Sequence, residues 1–393
     1  MKIFHISDLH IGKQLHYYNM KEDQMAILEQ IVDKAKELRP DVLIIAGDIY
    51  DKSVPSAESY TIFNQFLNNL SRIEPHIPVL IIAGNHDSAE RLNYASTFLE
   101  KHNIFISVQP PSCDKEYLKK IVLKDEFGEV NFYMLPFTKP GYVRHLFDEG
   151  VITSYDSAIK ALIAREDIDY SKRNVLISHQ FYVSGDKSPD TCDSEQVYIT
   201  VGGIDSVDIE AVKDFDYVAL GHLHGAQSIG RSHIRYSGSP LKYSVSEEKH
   251  IKAITMVTIN DKGTDIIIDR IPLAALRDVR SEKGLLSDII SRASDENRHD
   301  YLSITITDED EIYKPKDQLE EHYDHILELK VENNRTRAQL EQVDFKVTTL
   351  NPFEAFKQFY QEMQGAPMSS EEEQIMLDVI SKLHTPITTE GDE

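Results

Sequence analysis

The hexapeptide VLIIAG occurs twice, at 42–47 and 79–84, and each copy runs into a residue able to hold a metal: Asp48 after the first, Asn85 after the second. Segments that are apolar on both faces suit strands of a parallel sheet covered by helices. The surrounding sequence alternates in kind. KIFHIS (2–7) reads as a short strand. Residues 21–38 read as an amphipathic helix with Met25, Leu28, Ile31, Val32, Ala35 and Leu38 on one face, and further helices are predicted near 56–70 and 89–100. This β-α-β-α-β-α order predicts an α/β fold. Later apolar runs at 131–135, 174–178, 216–220, 254–259 and 265–269 predict a second sheet closing a sandwich, with the large domain ending near 272.

Beyond it, 277–332 reads as a small α/β module: helix 285–293, strand 301–307, a helix near 316–324 and strand 326–331. A polar linker is expected over 333–350. Residues 351–384 read as two helices. The first carries Phe353, Phe356, Phe359, Tyr360 and Met363 at helical spacing. The second opens with a capping box of Ser370 and Glu373 and carries Ile375, Met376, Val379, Ile380 and Leu383.

The formal net charge is −24, and 271–393 alone holds 13 basic and 27 acidic residues. That balance excludes a simple basic nucleic-acid binder but leaves room for a nucleic-acid enzyme, because bound cations cancel charge locally. Cys113 and Cys192 have no zinc-finger spacing, which predicts a reducing, cytoplasmic setting. MKIFHISDLH is not expected to be a signal peptide, and the longest apolar runs, about six residues, are too short for a bilayer.

Ligands of open α/β sheets gather beyond the carboxyl ends of the strands. Five apolar runs deliver Asp8 and His10, Asp48, Asn85, His179, and His222 and His224 to such ends. These seven oxygen and imidazole donors suit Mn²⁺, Fe²⁺ or Zn²⁺ in a pair. Asp48 is the expected bridge, its two oxygens facing different ions. His86 is expected to face the substrate, as an imidazolium that protonates the leaving oxygen. The Asp51 carboxylate could orient His86, or could serve only as a loop or N-cap carboxylate; Asp87 reads as loop-stabilising. Lys13, His16, Tyr17 and Tyr18 follow the first ligands and are candidate DNA contacts, with Lys139, Arg144, Lys242 and Tyr243 as further candidates.

The ordered set DLH (8–10), GDIYD (47–51), GNHD (84–87), SH (178–179) and GHLH (221–224) resembles the calcineurin-like metallophosphoesterase superfamily. GNHDSAERL (84–92), LPF (135–137), YVALGHLHGAQ (217–227) and YSGSPLKYSVSEEK (236–249) narrow the resemblance to its bacterial nuclease subunits that pair with an SMC-like ATPase. The resemblance implies a four-layer αββα sandwich with a small α/β capping domain and a C-terminal helical hairpin that docks on the ATPase coiled coil. It implies two manganese ions, one on Asp8, His10, Asp48 and His224, the other on Asp48, Asn85, His179 and His222, with His86 catalytic. It also implies a homodimer within a larger assembly and hydrolysis of DNA. Asp51 departs from the eukaryotic and archaeal branch, which often has His there. A phosphatase or cyclic-nucleotide phosphodiesterase on the same scaffold is the alternative enzyme. A degenerate, non-catalytic scaffold is disfavoured because every expected ligand is present.

Overall fold

The computed structural model describes residues 1–185, 187–195, 206–334, 352–364 and 367–383. They fall into two compact units, 1–331 and the tail from 332. In the first unit the VLIIAG segments form β2 (Val42–Ala46) and β3 (Val79–Ile82), flanked by β1 (Lys2–Ile6) and β4 (Ile104–Ser107), all parallel. A second sheet contains β5 (Lys119–Asp125), β6 (Gly128–Leu135), β7 (Arg173–His179), β8 (Tyr217–Gly221), β9 (Gln227–Ile229) and β10 (Arg231–Tyr236), in the order β9-β10-β8-β7-β6-β5.

Two strands expected in that second sheet belong to the first. β11 (Ala253–Thr258) pairs antiparallel with β1, and β12 (Ile267–Pro272) closes the edge beside it. The apolar content of 254–259 marks it as buried but does not say on which sheet. β5 and β10 escape the apolar criterion because charged residues interrupt them, as they do in strands with one open face.

Alternation divides the core even where strands are fully buried. Ile44, Ala46, Leu80 and Ile82 point between the sheets and meet Phe132, Met134, Val175, Ile177 and Ala219. Leu43, Ile45, Val79 and Ile81 point the other way, onto α1 (Lys21–Leu38) and α2 (Ala57–Ser71). The far face of the second sheet is covered by α3 (Tyr155–Arg165) through Ile159 and Leu162. The result is a helix-sheet-sheet-helix sandwich. On α1 the buried face takes Gln24 and Ile27, while Met25 is exposed.

The small module is a parallel three-stranded sheet of β13 (Val279–Gly284), β14 (Tyr301–Ile306) and β15 (His325–Val331). β13 reads VRSEKG and has no apolar run to betray it. The two helices are shorter than expected, α4 (Leu286–Ser291) and α5 (Pro315–Glu320). The module has its own core of Leu286, Ile289, Leu302, Ile304 and Leu319. Val279, Tyr301 and Leu327 join the core over α1, so it packs as part of the first unit.

The tail forms α6 (Pro352–Gln364) and α7 (Ser370–Leu383). The cap of α7 sits one residue earlier than expected. Ser369 Oγ accepts from Glu372 N at 3.3 Å, and Glu372 accepts from Ser369 N at 2.7 Å. The apolar stripe of α6 divides: Tyr360 donates to Glu372 at 2.7 Å, whereas Phe359 and Met363 stay exposed, as does Ile375 on α7. Most of the predicted linker, 335–350, lies outside the described residues, as do residue 384 and the side chains of Val379, Ile380 and Leu383. No helix among the described residues is long and apolar enough to cross a membrane.

Candidate metal centre

Strand pairing continues past the sheet edge and sets the ligand loops side by side. Asp8 N donates to Gly47 O at 3.0 Å, His10 N to Asp48 O at 3.0 Å and Ile11 N to Ile49 O at 2.9 Å. In the second sheet Gly221 is level with His179. The sheets are stitched together here, because His179 Nδ1 donates to the Ala46 carbonyl at 2.7 Å. That bond fixes the tautomer and turns Nε2 toward the cluster, the usual arrangement for a ligating histidine.

Two glycines make the approach possible. Gly47 has φ +92°, and a Cβ there would stand 2.3 Å from His179 Nδ1. A Cβ on Gly84 would stand 2.1 Å from Asp48 Oδ1. Asp8, His10, Asp48 and His222 themselves hold positive φ values of 54°, 43°, 51° and 105°. Such conformations are costly for side chains of this kind and persist where surroundings impose them, as at functional sites.

The seven expected donors converge. Asp8, His10 and His224 present ligand atoms within 4.8 Å of one another, as do Asp8, Asp48 and His179. His10 Nε2 faces His224 Nε2 at 3.1 Å, and Asn85 Oδ1 faces His179 Nε2 at 3.1 Å and His222 Nδ1 at 2.9 Å. Asp48 differs from expectation in detail. Its Oδ1 accepts from His86 N at 2.9 Å, and Oδ2 alone lies between the two groups, 3.4 Å from His179 Nε2 and 3.6 Å from His10 Nε2.

Burial and mutual crowding set the electrostatics of the cluster. Burial pushes Asp8 up to about 6. Burial works against charging His179, yet Asp48, then Asp8, outweigh it and hold the imidazole up at about 9. Burial, reinforced by His179, drives His222 down to about 3. Asp8 and His179 thus hold protons where divalent cations would compete for the same atoms, while His222 stays neutral, the form of imidazole that ligates a metal. The facing lone pairs of His10 and His224, and the all-oxygen-and-nitrogen donor set, fit such ions.

The Asp51 contact is not the one expected. His86 Nδ1 donates to the Asp51 backbone carbonyl at 2.8 Å. The Asp51 carboxylate turns instead to Lys13 Nζ at 2.9 Å and lies 3.7 Å from His10 Nδ1. Lys13, a candidate DNA contact, is thereby paired within the chain. His16 and Tyr17 are exposed. Tyr18 is half-buried and packs against Tyr301 and His325 at the joint with the small module. Lys242 pairs with Asp278 at 2.8 Å, and Tyr243 is buried, its ring against His10 and His224. Lys139 and Arg144 are exposed. Asp87 accepts from Gly84 N, Ile49 N and Tyr50 N at 2.9, 3.1 and 3.0 Å, which is loop stabilisation.

Several supporting residues carry no signal in isolation. Ser194 Oγ lies 2.7 Å from His224 Nδ1 and donates to Glu247 at 2.6 Å; Glu247 is fully buried and paired with Lys252 at 2.5 Å. Buried Gln24 of α1 donates to the His10 carbonyl at 2.7 Å and accepts from Gly12 N at 2.9 Å. Glu247 lies within the 236–249 stretch already singled out; Gln24 could have been noticed only as a polar residue on an apolar face.

The chain belongs to the calcineurin-like phosphoesterase family, whose family model matches residues 1–226. Residues 275–364 match the SbcD C-terminal domain, the type 5 capsule protein repressor C-terminal domain. Together the two matches are those of an SbcD-type chain. Similar solved structures include a Staphylococcus aureus protein assigned as a 5′-nucleotidase and solved with α-ketoglutarate, at 14% identity and TM-score 0.39, covering 70% of this chain and 54% of that one. This chain thus spans about half the length of that relative. A dimetal phosphatase from Danio rerio is similar at 11% identity and TM-score 0.40, covering 70% of this chain and 96% of that one.

Proposed function

We propose that the chain is the nuclease subunit of an SbcC–SbcD type complex. In this reading it hydrolyses DNA phosphodiester bonds as a double-strand exonuclease and single-strand endonuclease, in DNA repair, recombination and replication. The observation that carries it is the convergence of seven oxygen and nitrogen donors from five strand ends, on a chain that also matches the SbcD C-terminal domain.

Asp8, His10, Asp48 and His224 would hold one divalent ion and Asp48, Asn85, His179 and His222 the other, with Mn²⁺ the preferred metal. When bound, the ions supply Lewis-acid charge at the phosphoryl group and a water nucleophile active near neutral pH. His86 stands beside the donors, its ring 4.9 Å from that of His10. Its Nδ1–H is committed to the Asp51 carbonyl, which leaves Nε2 as the working nitrogen. In the protonated form, Nε2–H steadies the phosphoryl charge and passes its proton to the leaving oxygen as the P–O bond breaks. Asp51 acts through its backbone here, and its carboxylate holds Lys13. Lys13 and His16 remain the candidate contacts to the DNA backbone.

Phe359, Met363 and Ile375 leave apolar surface on the tail helices, which supports docking on the coiled coil of an SbcC-like SMC-type ATPase. A homodimer within a heterotetramer, in a cytoplasmic and nucleoid-associated setting, completes the reading. The test is direct. Purified protein with Mn²⁺ cuts linear or single-stranded DNA, and EDTA stops it. Hydrolysis of bis-p-nitrophenyl phosphate without DNA cleavage would support the phosphatase or cyclic-nucleotide phosphodiesterase instead.

A further inference from the structure

We propose that the cavity adjoining Asn85 is a nucleobase pocket, which seats the base next to the cut phosphate by stacking it on Phe137 and Tyr142. The proposal rests on the nuclease reading and names the part of the substrate held outside the metal centre. The cavity has a volume of about 290 Å³ and is walled by the Asn85 loop, by Val108–Ser112 and by Phe137, Lys139 and Tyr142. That is near the lower end for small-ligand sites and suits one heterocycle. Asn85 is shared: its Oδ1 meets His179 and His222 while the residue lines the cavity. A nucleotide whose phosphate lay at the donor cluster would therefore reach the cavity with its adjacent base.

The wall chemistry matches a base. Phe137 is half-buried and anchored through its backbone N–H to Ala83 O at 2.9 Å, with its ring edge-on to His179 at 6.5 Å. Tyr142 is 50% exposed. Exposed Gln109 can meet the polar edge of a heterocycle, and exposed Lys139 gives a cation to a neighbouring phosphate; the Ser112 hydroxyl is already committed to Glu116 at 2.8 Å. The net charge adds a reason. A chain at −24 repels a polyanion overall, so contacts that are not ionic add grip beyond what bound cations and Lys139 supply. Stacking is such a contact, and it tolerates any base.

The test uses the full chain loaded with Mn²⁺. By calorimetry, 5′-deoxyadenylate should bind about tenfold tighter than deoxyribose 5-phosphate. Tyr142→Ala should erase that difference and Tyr142→Phe should keep it. In cleavage, Tyr142→Ala should raise the KM for DNA about tenfold while changing kcat less than about twofold. An abasic nucleotide beside the cut phosphate should cost the wild type the same factor and the variant nothing more. Equal affinity for the two ligands, or equal damage from Phe and Ala at 142, overturns the proposal. Wild-type hydrolysis of bis-p-nitrophenyl phosphate without DNA cleavage would sink the nuclease reading separately, and the mononucleotide titration would still judge the pocket.

Discussion

At Asp51 two neighbouring side chains are governed by different parts of one residue. The carbonyl receives His86 and the carboxylate receives Lys13. The proposed acid therefore depends on backbone placement more than on the Asp51 charge. His86→Ala should lower DNA cleavage at least about 100-fold while calorimetry still finds both Mn²⁺ ions bound. Asp51→Asn keeps the carbonyl and should cost less than about tenfold. Gly84→Ala should be worse for the metals than either, because the new methyl would sit on Asp48 Oδ1; Mn²⁺ titration should find binding lost. At this scale the donor types were legible, since seven ligand-type residues follow apolar runs. The left-handed backbone of Asp8, His10 and Asp48 was not, because Asp and His adopt positive φ only in a minority of cases and the neighbouring loops decide which.

Among the elements, α1 does more than cover the sheet. Gln24 holds the His10 loop, and its neighbour Asp23 receives Arg277 at 2.8 Å and the Tyr301 hydroxyl at 2.9 Å from the small module. Adjacent residues of one helix thus serve the metal loop and the module joint. Gln24→Ala should weaken Mn²⁺ binding about 10- to 100-fold, the usual effect of removing a residue that orients a ligand, with the helical circular dichroism signal retained. β2 and β3 were readable from their unbroken apolar runs and α1 from its helical periodicity. β13 was not, because VRSEKG is half charged with a single large apolar residue, and its strand state comes from pairing with β14. The sheet membership of β11 and β12 was equally hidden, since burial does not specify a partner.

Across the whole first unit, the ends of the sheets away from the metal centre are tied by Arg173. Nearly fully buried, it pairs with Asp125 through both terminal nitrogens, at 2.5 and 3.0 Å, and donates to Asn260 O at 2.9 Å beyond β11. The two Arg173 hydrogen bonds hold the Asp125 carboxyl well below the usual carboxylate range. The stabilisation is therefore fully present above about pH 4, the unfolded value, and is lost as pH falls through the lower folded value. Asp125→Asn should destabilise the unit by about 3 kcal/mol at neutral pH, because it leaves a buried guanidinium without its counter-charge. Thermal melts should show the gap to wild type narrowing as pH drops below about 4.

The central claim is that two cations sit among these strand ends, and anomalous scattering from a crystal grown with Mn²⁺ tests it most directly. Two peaks about 3.5–4 Å apart should appear, one among Asp8, His10 and His224 and the other among Asn85, His179 and His222, with Asp48 between them. Mn²⁺ bound elsewhere, or no peak within these donors, would contradict it.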